Sequence, residues 1–292
     1  PSVIRVDTTT ISKDDYGLAI VDGAAGAQSL QMQVTGGAAQ SSSVNSQTDT
    51  LVESSLSALA TVFAADDLFV DTVLRSRTGK REGLFASARA GRYSYDTNTR
   101  LETNIVSGLV GFSAAVGSSN VGAFLEMGHA SYDSRLNSAL GAVRGEGTQN
   151  YAGVGVFVDY GLPVEGWRLT GYVKGGSLAN DFNGVIAGLD AGYDKSSAYW
   201  GAHLGTHYDI DMPGLTTRVF FSYFYDGRES ESYDIGGTAE IEGAHVEYDA
   251  LNAHRVQAGG IFEFKMSERL RPYLRLTFEQ ILSAKAEGTA TD

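Results

Sequence analysis

Ala198-Tyr-Trp-Gly-Ala-His-Leu-Gly-Thr-His-Tyr-Asp-Ile210 decides the fold, because its residues sort by parity. Trp200, Ala202, Leu204, Tyr208 and Ile210 fall on one face of an extended strand. Tyr199, Gly201, His203, Gly205, His207 and Asp209 fall on the other. The same period of two recurs from Leu84 onward. In Trp167–Gly175, Trp167, Leu169 and Val173 oppose Arg168, Thr170, Tyr172 and Lys174. In His254–Met266, Val256, Ala258, Phe262 and Phe264 oppose Arg255, Gln257, Glu263 and Lys265. In Leu270–Glu279, Leu270, Leu274, Leu276 and Phe278 oppose Arg271, Tyr273, Arg275, Thr277 and Glu279. A soluble antiparallel sheet alternates in this way too, so alternation leaves both a soluble sandwich and a membrane barrel open.

Connection lengths separate the two. The pattern predicts about nine strands, roughly 84–95, 99–116, 119–133, 147–161, 166–180, 193–211, 215–226, 250–266 and 270–284, many of them as long as the ~9–11 residues of a tilted membrane strand. Gly117–Asn120, Leu162–Glu165, Asp211–Gly214 and Met266–Arg269 read as tight turns. Ser134–Glu146, Asn180–Gly192 and Gly227–Asp249 read as long polar loops, with the short Asp96–Asn98 as the exception on that side. Short turns at one rim and long loops at the other is the layout of an outer-membrane barrel. Tyr160, Trp167 and Tyr208 near the tight turns, and Tyr93, Tyr95, Tyr132, Tyr223 and Tyr225 near the other rim, are placed as two interfacial girdles.

One helix precedes the strands. Thr50-x-x-Glu53 is a capping-box signature, and Val52, Leu56, Leu59, Phe63, Val70 and Leu74 follow at helical spacing. Asp66 interrupts this stripe, so a kink or two shorter helices is expected there. Ser54, Ser55, Ser57 and Thr61 keep the other faces small and polar. Arg75, Arg77, Lys80 and Arg81 crowd the C-terminal end, where cations favour the helix dipole. Thr50–Arg75 is long enough, at about 38 Å, to cross a bilayer core but too polar to face lipid. Strand polarity sends it back through the barrel. The inward faces carry Arg89, Glu126, Asp159, Arg168, Lys174, His203, His207, Arg218, Arg255, Glu263, Arg275 and Glu279, read as a hydrated, mixed-charge wall.

Bulk composition agrees. The 292 residues include 36 Gly and only 4 Pro, as close strand packing requires, and carry a net charge of -13, which argues against nucleic acid and anionic headgroups as partners. No cysteine is present, which excludes disulfides and cysteine nucleophiles without fixing a compartment. Pro1 rather than Met at the start leads to the expectation that something longer was cut. Residues 1–47 hold short β-like pieces (Ser2–Val6, Gly17–Val21, Leu30–Val34) and a Ser/Gln-rich run, read as a linker or as the tail of a β-rich upstream region.

The chemistry-bearing motifs thin out on inspection. His203 and His207 lie ~13 Å apart on a strand, too far to share an ion. Gly153-Val-Gly155 lacks the third glycine and the helix of a dinucleotide loop, and Gly175-Gly-Ser177 is no nucleophile elbow. No enzyme activity, cofactor or metal is expected.

Several stretches then resemble one family, the autotransporter translocator (β) domain of type V secretion. They are Leu68-Phe-Val-Asp-Thr-Val-Leu-Arg75, Leu84-Phe-Ala-Ser-Ala-Arg-Ala-Gly-Arg-Tyr93 and Gly122-Ala-Phe-Leu-Glu126 with Tyr132-Asp133. Ser196-Ser-Ala-Tyr199-Trp-Gly201, His254-Arg-Val-Gln-Ala-Gly259 and Arg271-Pro-Tyr-Leu-Arg-Leu-Thr-Phe-Glu279 complete the set. The resemblance implies an all-β, antiparallel transmembrane barrel of twelve strands with an N-terminal helix inside the pore. It implies a monomer in a Gram-negative outer membrane that secretes and displays its own N-terminal passenger. Periplasmic chaperones and the barrel-assembly machinery are the implied partners, with outer-membrane lipid around the barrel. The Asn pair of self-cleaving members has no counterpart beyond Asn45, so self-cleavage is not expected. The chain accordingly divides into 1–47 (end of passenger and linker), 48–82 (pore helix and linker) and 83–292 (barrel). About three closing strands are expected to be missing after the ninth. A porin-like channel or a barrel enzyme is the alternative reading, and a soluble β domain a weaker one.

Overall fold

The computed structural model describes residues 5–7, 10–12, 15–22, 28–36, 49–74, 82–96, 100–138, 141–186, 189–234, 236–237, 245–266, 272–285 and 287–291. Helix α1 (Asp49–Leu74) is continuous through Asp66, so it does not divide there into two shorter helices. The reason lies in the wall opposite, which takes the carboxylate as described below. Side chains of Thr50, Glu53 and Leu56 and all of the basic run from Arg75 to Arg81 lie outside the described residues.

Nine long strands follow: β1 (Gly83–Asp96), β2 (Arg100–Val116), β3 (Ser119–Ser138), β4 (Gly141–Gly161), β5 (Trp167–Ile186), β6 (Leu189–Met212), β7 (Leu215–Arg228), β8 (Leu251–Phe264) and β9 (Tyr273–Lys285). Each pairs antiparallel with its sequence neighbour, giving a meander that curls into an open half-barrel with α1 along its concave side. Among the described residues β1 and β9 do not pair with each other. Positive-φ glycines stand at three of the tight turns: Gly117 (φ 62), Gly166 (φ 84) and Gly214 (φ 81). A side chain at these angles is strained, so glycine lets the chain reverse within a few residues. The fourth expected turn falls mostly outside the described residues.

Two of the three expected long loops are not loops. β3 and β4 stay paired to Ser138↔Gly141, and β5 and β6 to Ile186↔Leu189. Their polar composition is that of a ribbon wetted on both faces, whose backbone bonds stabilise it without a core. The third, after β7, holds short strands Glu231–Asp234 and His245–Tyr248, which pair with each other, and Gly236–Gly237, which pairs with β6. Glu231–Asp234 and His245–Tyr248 form one side of a five-stranded sheet completed by Glu287–Thr291, Asp15–Asp22 and Gln28–Gly36.

The convex face is apolar. Val106, Val110, Phe112, Leu125, Met127, Val154, Val156, Leu204, Phe221 and Phe278 all stand exposed on it. No described helix is long and apolar enough to cross a membrane. Tyr160 and Trp167 are exposed at the tight-turn rim, where Trp167 stacks 5.2 Å from Tyr208. At the other rim Tyr223 bonds His254, and Tyr225 donates to Asn252 at 2.8 Å. Tyr132 and Tyr93 are not part of that girdle. Tyr132 is buried, and Tyr93 packs against Ala60 and Ala64 of α1. Rim height alone had assigned them, whereas their parity sends both to the concave side. The Tyr95 side chain lies outside the described residues.

Inside, aromatic rings lie flat over glycines of the next strand. Phe124 covers Gly155, Tyr151 covers Gly128 and Tyr199 covers Gly176, each so closely that a Cβ would collide with the ring. The ring gains apolar contact that a side chain at the glycine would forbid. Gly155→Ala is therefore expected to destabilise the protein by about 1–3 kcal/mol through overpacking. Gly108→Ala, whose nearest neighbour lies 3.8 Å away, should be close to neutral. The check is the temperature at which heat-modifiable migration is lost in detergent gels; equal temperatures for the two variants would refute the ring-on-glycine account.

Candidate functional site

The site is the seat of α1 on the concave wall, and it has three storeys. Nearest the long-loop rim, small polar side chains let the helix backbone approach. Gln149 of β4 donates to the Ser54 carbonyl at 3.0 Å and accepts from Thr61 (2.8 Å) and Ser57 (3.2 Å). Ser57 also meets Thr103 of β2 at 3.3 Å. Asn180 extends the row by donating to Tyr193 at 2.9 Å, and Tyr193 bonds Ser54. Arg228 donates to Ser55 at 3.3 Å while pairing with Glu231 at 3.2 Å. Ala58, Val62 and Ala65 fill the adjoining face against Tyr151, Leu178 and Tyr199.

The middle storey is ionic. Asp66, fully buried, receives Lys174 Nζ at 2.7 Å, Tyr172 OH at 2.5 Å and Arg255 Nη2 at 3.5 Å. Lys174 is held from behind by Glu126 at 3.1 Å, and Tyr199 donates to the same Glu126 at 2.6 Å. Arg255 Nη1 bridges Asp67 and Glu279, both at 2.8 Å, and its guanidinium lies 4.3 Å from the rings of Phe63 and Phe224. Gln257 donates to Asp67 at 2.8 Å. Arg275 pairs with Asp71, and Arg89 approaches Asp71 at 3.5 Å. The helix thus presents carboxylates, the wall meets them with cations, and the wall's own acids Glu126 and Glu279 steady those cations. Buried charges of this number are tolerable only with such partners.

The lowest storey is apolar. Phe69 lies 4.5 Å from Phe124, 4.8 Å from Tyr172 and 5.3 Å from Phe157. Leu68, Val70, Val73 and Leu74 pack with Leu109, Phe220, Phe224 and Ile261 around them. The expectation of a hydrated, mixed-charge wall is corrected here. Phe124, Phe157, Tyr172, Phe220 and Phe224 share the inward parity with the charged residues, and their rings dry the lower half of the lumen.

Of the wall residues singled out from the sequence, Arg89, Lys174, Arg255 and Arg275 touch helix carboxylates, while Glu126 and Glu279 reach α1 through them. Asp159 and Arg168 pair with each other at 2.9 Å, and Arg218 pairs with Asp209, both near the tight-turn rim away from Asp66. His203 is wedged between Tyr172 (5.1 Å) and Phe224 (4.8 Å), and His207 is buried. Glu263 is half-buried at the tight-turn end of β8. On the helix, Leu59, Phe63, Val70 and Leu74 are all buried. Sequence reasoning passed over Asp67, Asp71, Gln149, Asn180 and Gln257. Inward parity between Gly residues is the signal that would have found the last three. Asp67 and Asp71 face the opening between β1 and β9, beside a cavity of about 590 Å³ lined also by Arg89, Tyr273, Arg275 and Glu279.

Comparison with known proteins fits this geometry. Residues 84–292 match the family model described as the autotransporter beta-domain. The fold is similar to the translocator domain of the autotransporter NalP from Neisseria meningitidis, with a TM-score of 0.56 and 13% identity over 82% of this chain and 97% of that one. It also aligns with the beta domain of the Bordetella autotransporter BrkA, with a TM-score of 0.45 and 12% identity over 72% of this chain and 98% of that one. No curated protein sequence matches the chain. With a helix seated in a half-barrel and the family model spanning all nine wall strands, the chain belongs to the autotransporter beta-domain family.

Proposed function

We infer that this chain is the translocator of an autotransporter, anchored in the outer membrane and serving the secretion and display of its own N-terminal passenger. The observation that carries this reading is the seat of α1. Hydrogen bonds, buried ion pairs and an aromatic seal all grip a helix that leads directly to the upstream chain. A diffusion channel has no use for a wall so closely fitted to one occupant, and this disfavours the porin alternative. The reading assigns residues 1–47 to the end of the passenger and its linker, 48–82 to the pore helix, and 83–292 to the barrel. The long-strand rim faces the cell exterior, with the passenger emerging there. In lipid every backbone donor and acceptor needs a partner, so further strands are proposed to pair with the edges of β1 and β9, which are unpaired among the described residues. Periplasmic chaperones and the barrel-assembly machinery are the proposed assembly partners, and the unit is a monomer.

The mechanism is mechanical, with no bond made or broken. The passenger passes along the concave lumen; α1 then settles with Asp66 between Lys174 and Arg255, closing the route and tethering what lies upstream.

Three outcomes test this. The chain has no native cysteine, so Ser57→Cys with Thr103→Cys should cross-link efficiently in outer membranes, their oxygens lying 3.3 Å apart. Ser57→Cys with Asn104→Cys, one residue along and on the outer face, should not; equal yields would remove the helix from the lumen. Asp66→Asn removes the carboxylate that Lys174, Arg255 and Tyr172 share, leaving Lys174 with Glu126 and Arg255 with Asp67 and Glu279, and should cost helix docking about 1.5–3 kcal/mol. It is expected to lower the Ser57–Thr103 cross-link yield and to raise conductance in planar bilayers, and an unchanged yield would refute the seat as the lock. An epitope inserted between β3 and β4 should be reached by antibody on intact cells. Access only after permeabilisation would reverse the orientation.

A further inference from the structure

The convex face carries a charged band that the translocation reading does not use. Arg100 of β2, Arg135 of β3 and Arg144 of β4 stand directly opposite one another across the three strands. Two residues nearer the membrane, Glu102, Asp133 and Glu146 form a matching row of acids. Like charges placed directly opposite across a ladder are destabilising. The acids offset part of that cost: Arg100 meets Glu102 at 3.2 Å, Arg135 meets Asp133 at 3.0 Å, and Arg144 meets Asp133 as well as Glu146 at 3.4 Å. Even so, the three arginine side chains remain 64%, 65% and 60% accessible; Glu146 is equally open at 63%, while Glu102 and Asp133 are more covered at 25% and 26%. By position along the strands, the row farthest from the apolar band is one of guanidinium forks, the group suited to bidentate phosphate recognition.

The net charge of -13 counts against anionic headgroups for the chain as a whole, so only a local cationic row such as this one can meet an anion, and its height narrows the ligand. Arg100 lies on the same face as Val106, the last exposed apolar residue of β2 on that side. Six residues of tilted strand raise it about 15 Å above that residue. The headgroup layer of an ordinary phospholipid bilayer reaches only ~5–8 Å beyond the hydrocarbon. A row at this height fits anionic groups carried on a tall headgroup.

We propose that Arg100, Arg135 and Arg144 form a docking surface for the phosphorylated sugar layer of an outer-leaflet glycolipid. The proposal rests on the reading that the long-strand rim faces the cell exterior, which the epitope experiment tests separately. The probe is lipopolysaccharide with a phosphorylated inner core, added to the full-length protein in neutral detergent micelles, with bound glycolipid counted by native mass spectrometry. The wild type is expected to retain it at least about tenfold better than the R100Q/R135Q/R144Q triple variant, the loss of one or more charge-assisted contacts. R100K/R135K/R144K, which keeps the charge but not the fork, should fall between. Lipopolysaccharide stripped of its core phosphates, phosphatidylglycerol and inorganic phosphate should each bind weakly and equally to wild type and triple variant. Equal retention of the phosphorylated form by wild type and triple variant overturns the proposal. So does a preference for phosphatidylglycerol. All variants are expected to keep wild-type heat-modifiable migration, because the three side chains are exposed.

Discussion

One buried carboxylate fixes where α1 can lie. Asp66 has no contact with solvent and finds its compensation in Lys174, Arg255 and Tyr172, which come from β5 and β8. A helix that slides by one turn or rotates by one residue loses all three and leaves a charge in a dry interior, at a cost of several kcal/mol. The apolar contacts around Phe69 supply more area but less register, since Leu68, Val70 and Val73 offer similar surface to any nearby position. Burial thus provides much of the adhesion, and the ion pairs decide the address. The dependence runs both ways. Without α1, Lys174 would keep Glu126 and Arg255 would keep Glu279, but each would face an empty lumen with half its partners gone.

The wall is built to the same constraint. Every strand interior must exchange backbone bonds with two neighbours if its outer face is to meet lipid. β2 to β8 do so over most of their length, with β6 meeting β7 from Tyr199 onward. Glycines inside and apolar side chains outside divide the labour. The inner glycines make room for rings that would otherwise have no depth to pack into, and the outer Val, Leu and Phe make the face that lipid covers. Asp67 and Asp71, the half-buried helix acids, turn toward the gap between β1 and β9, where Arg89 and Arg275 reach in from the two edges. The edges that lack strand partners among the described residues are thereby drawn toward the same helix.

Strand parity made most of the wall legible in the sequence. The nine strands and three of the four tight turns follow from period and connection length, because a face in lipid and a face toward a helix impose unlike side chains. Parity was less useful wherever a residue was judged by something else. Tyr93 and Tyr132 were assigned by rim height, although they share the parity of inward-facing neighbours. The outer parts of the β3–β4 and β5–β6 ribbons look like loops in the sequence, since polar residues on both faces erase the period there. Asp66 was read as a break because a lone carboxylate in an apolar stripe usually marks one; its partners lie 108 and 189 residues away in sequence, at Lys174 and Arg255. A one-dimensional pattern cannot pair them.

The vertical order of the seat follows from what each storey must do. Small hydroxyls at Ser54, Ser57 and Thr61 bond groups such as Gln149 whose alternatives are water, so exchanging one for the other changes the free energy little. That half of the contact can form and break at low cost. The aromatic storey around Phe69 excludes water and cannot be half-formed without exposing several rings. Between them, the buried Asp66 cluster sits where the seat changes from polar to apolar neighbours, a depth at which a charge gains strength from low dielectric. On the translocator reading the sequence of events then has a physical direction. The polar storey can guide the helix loosely, the carboxylate selects the register, and the rings close behind it at the tight-turn rim.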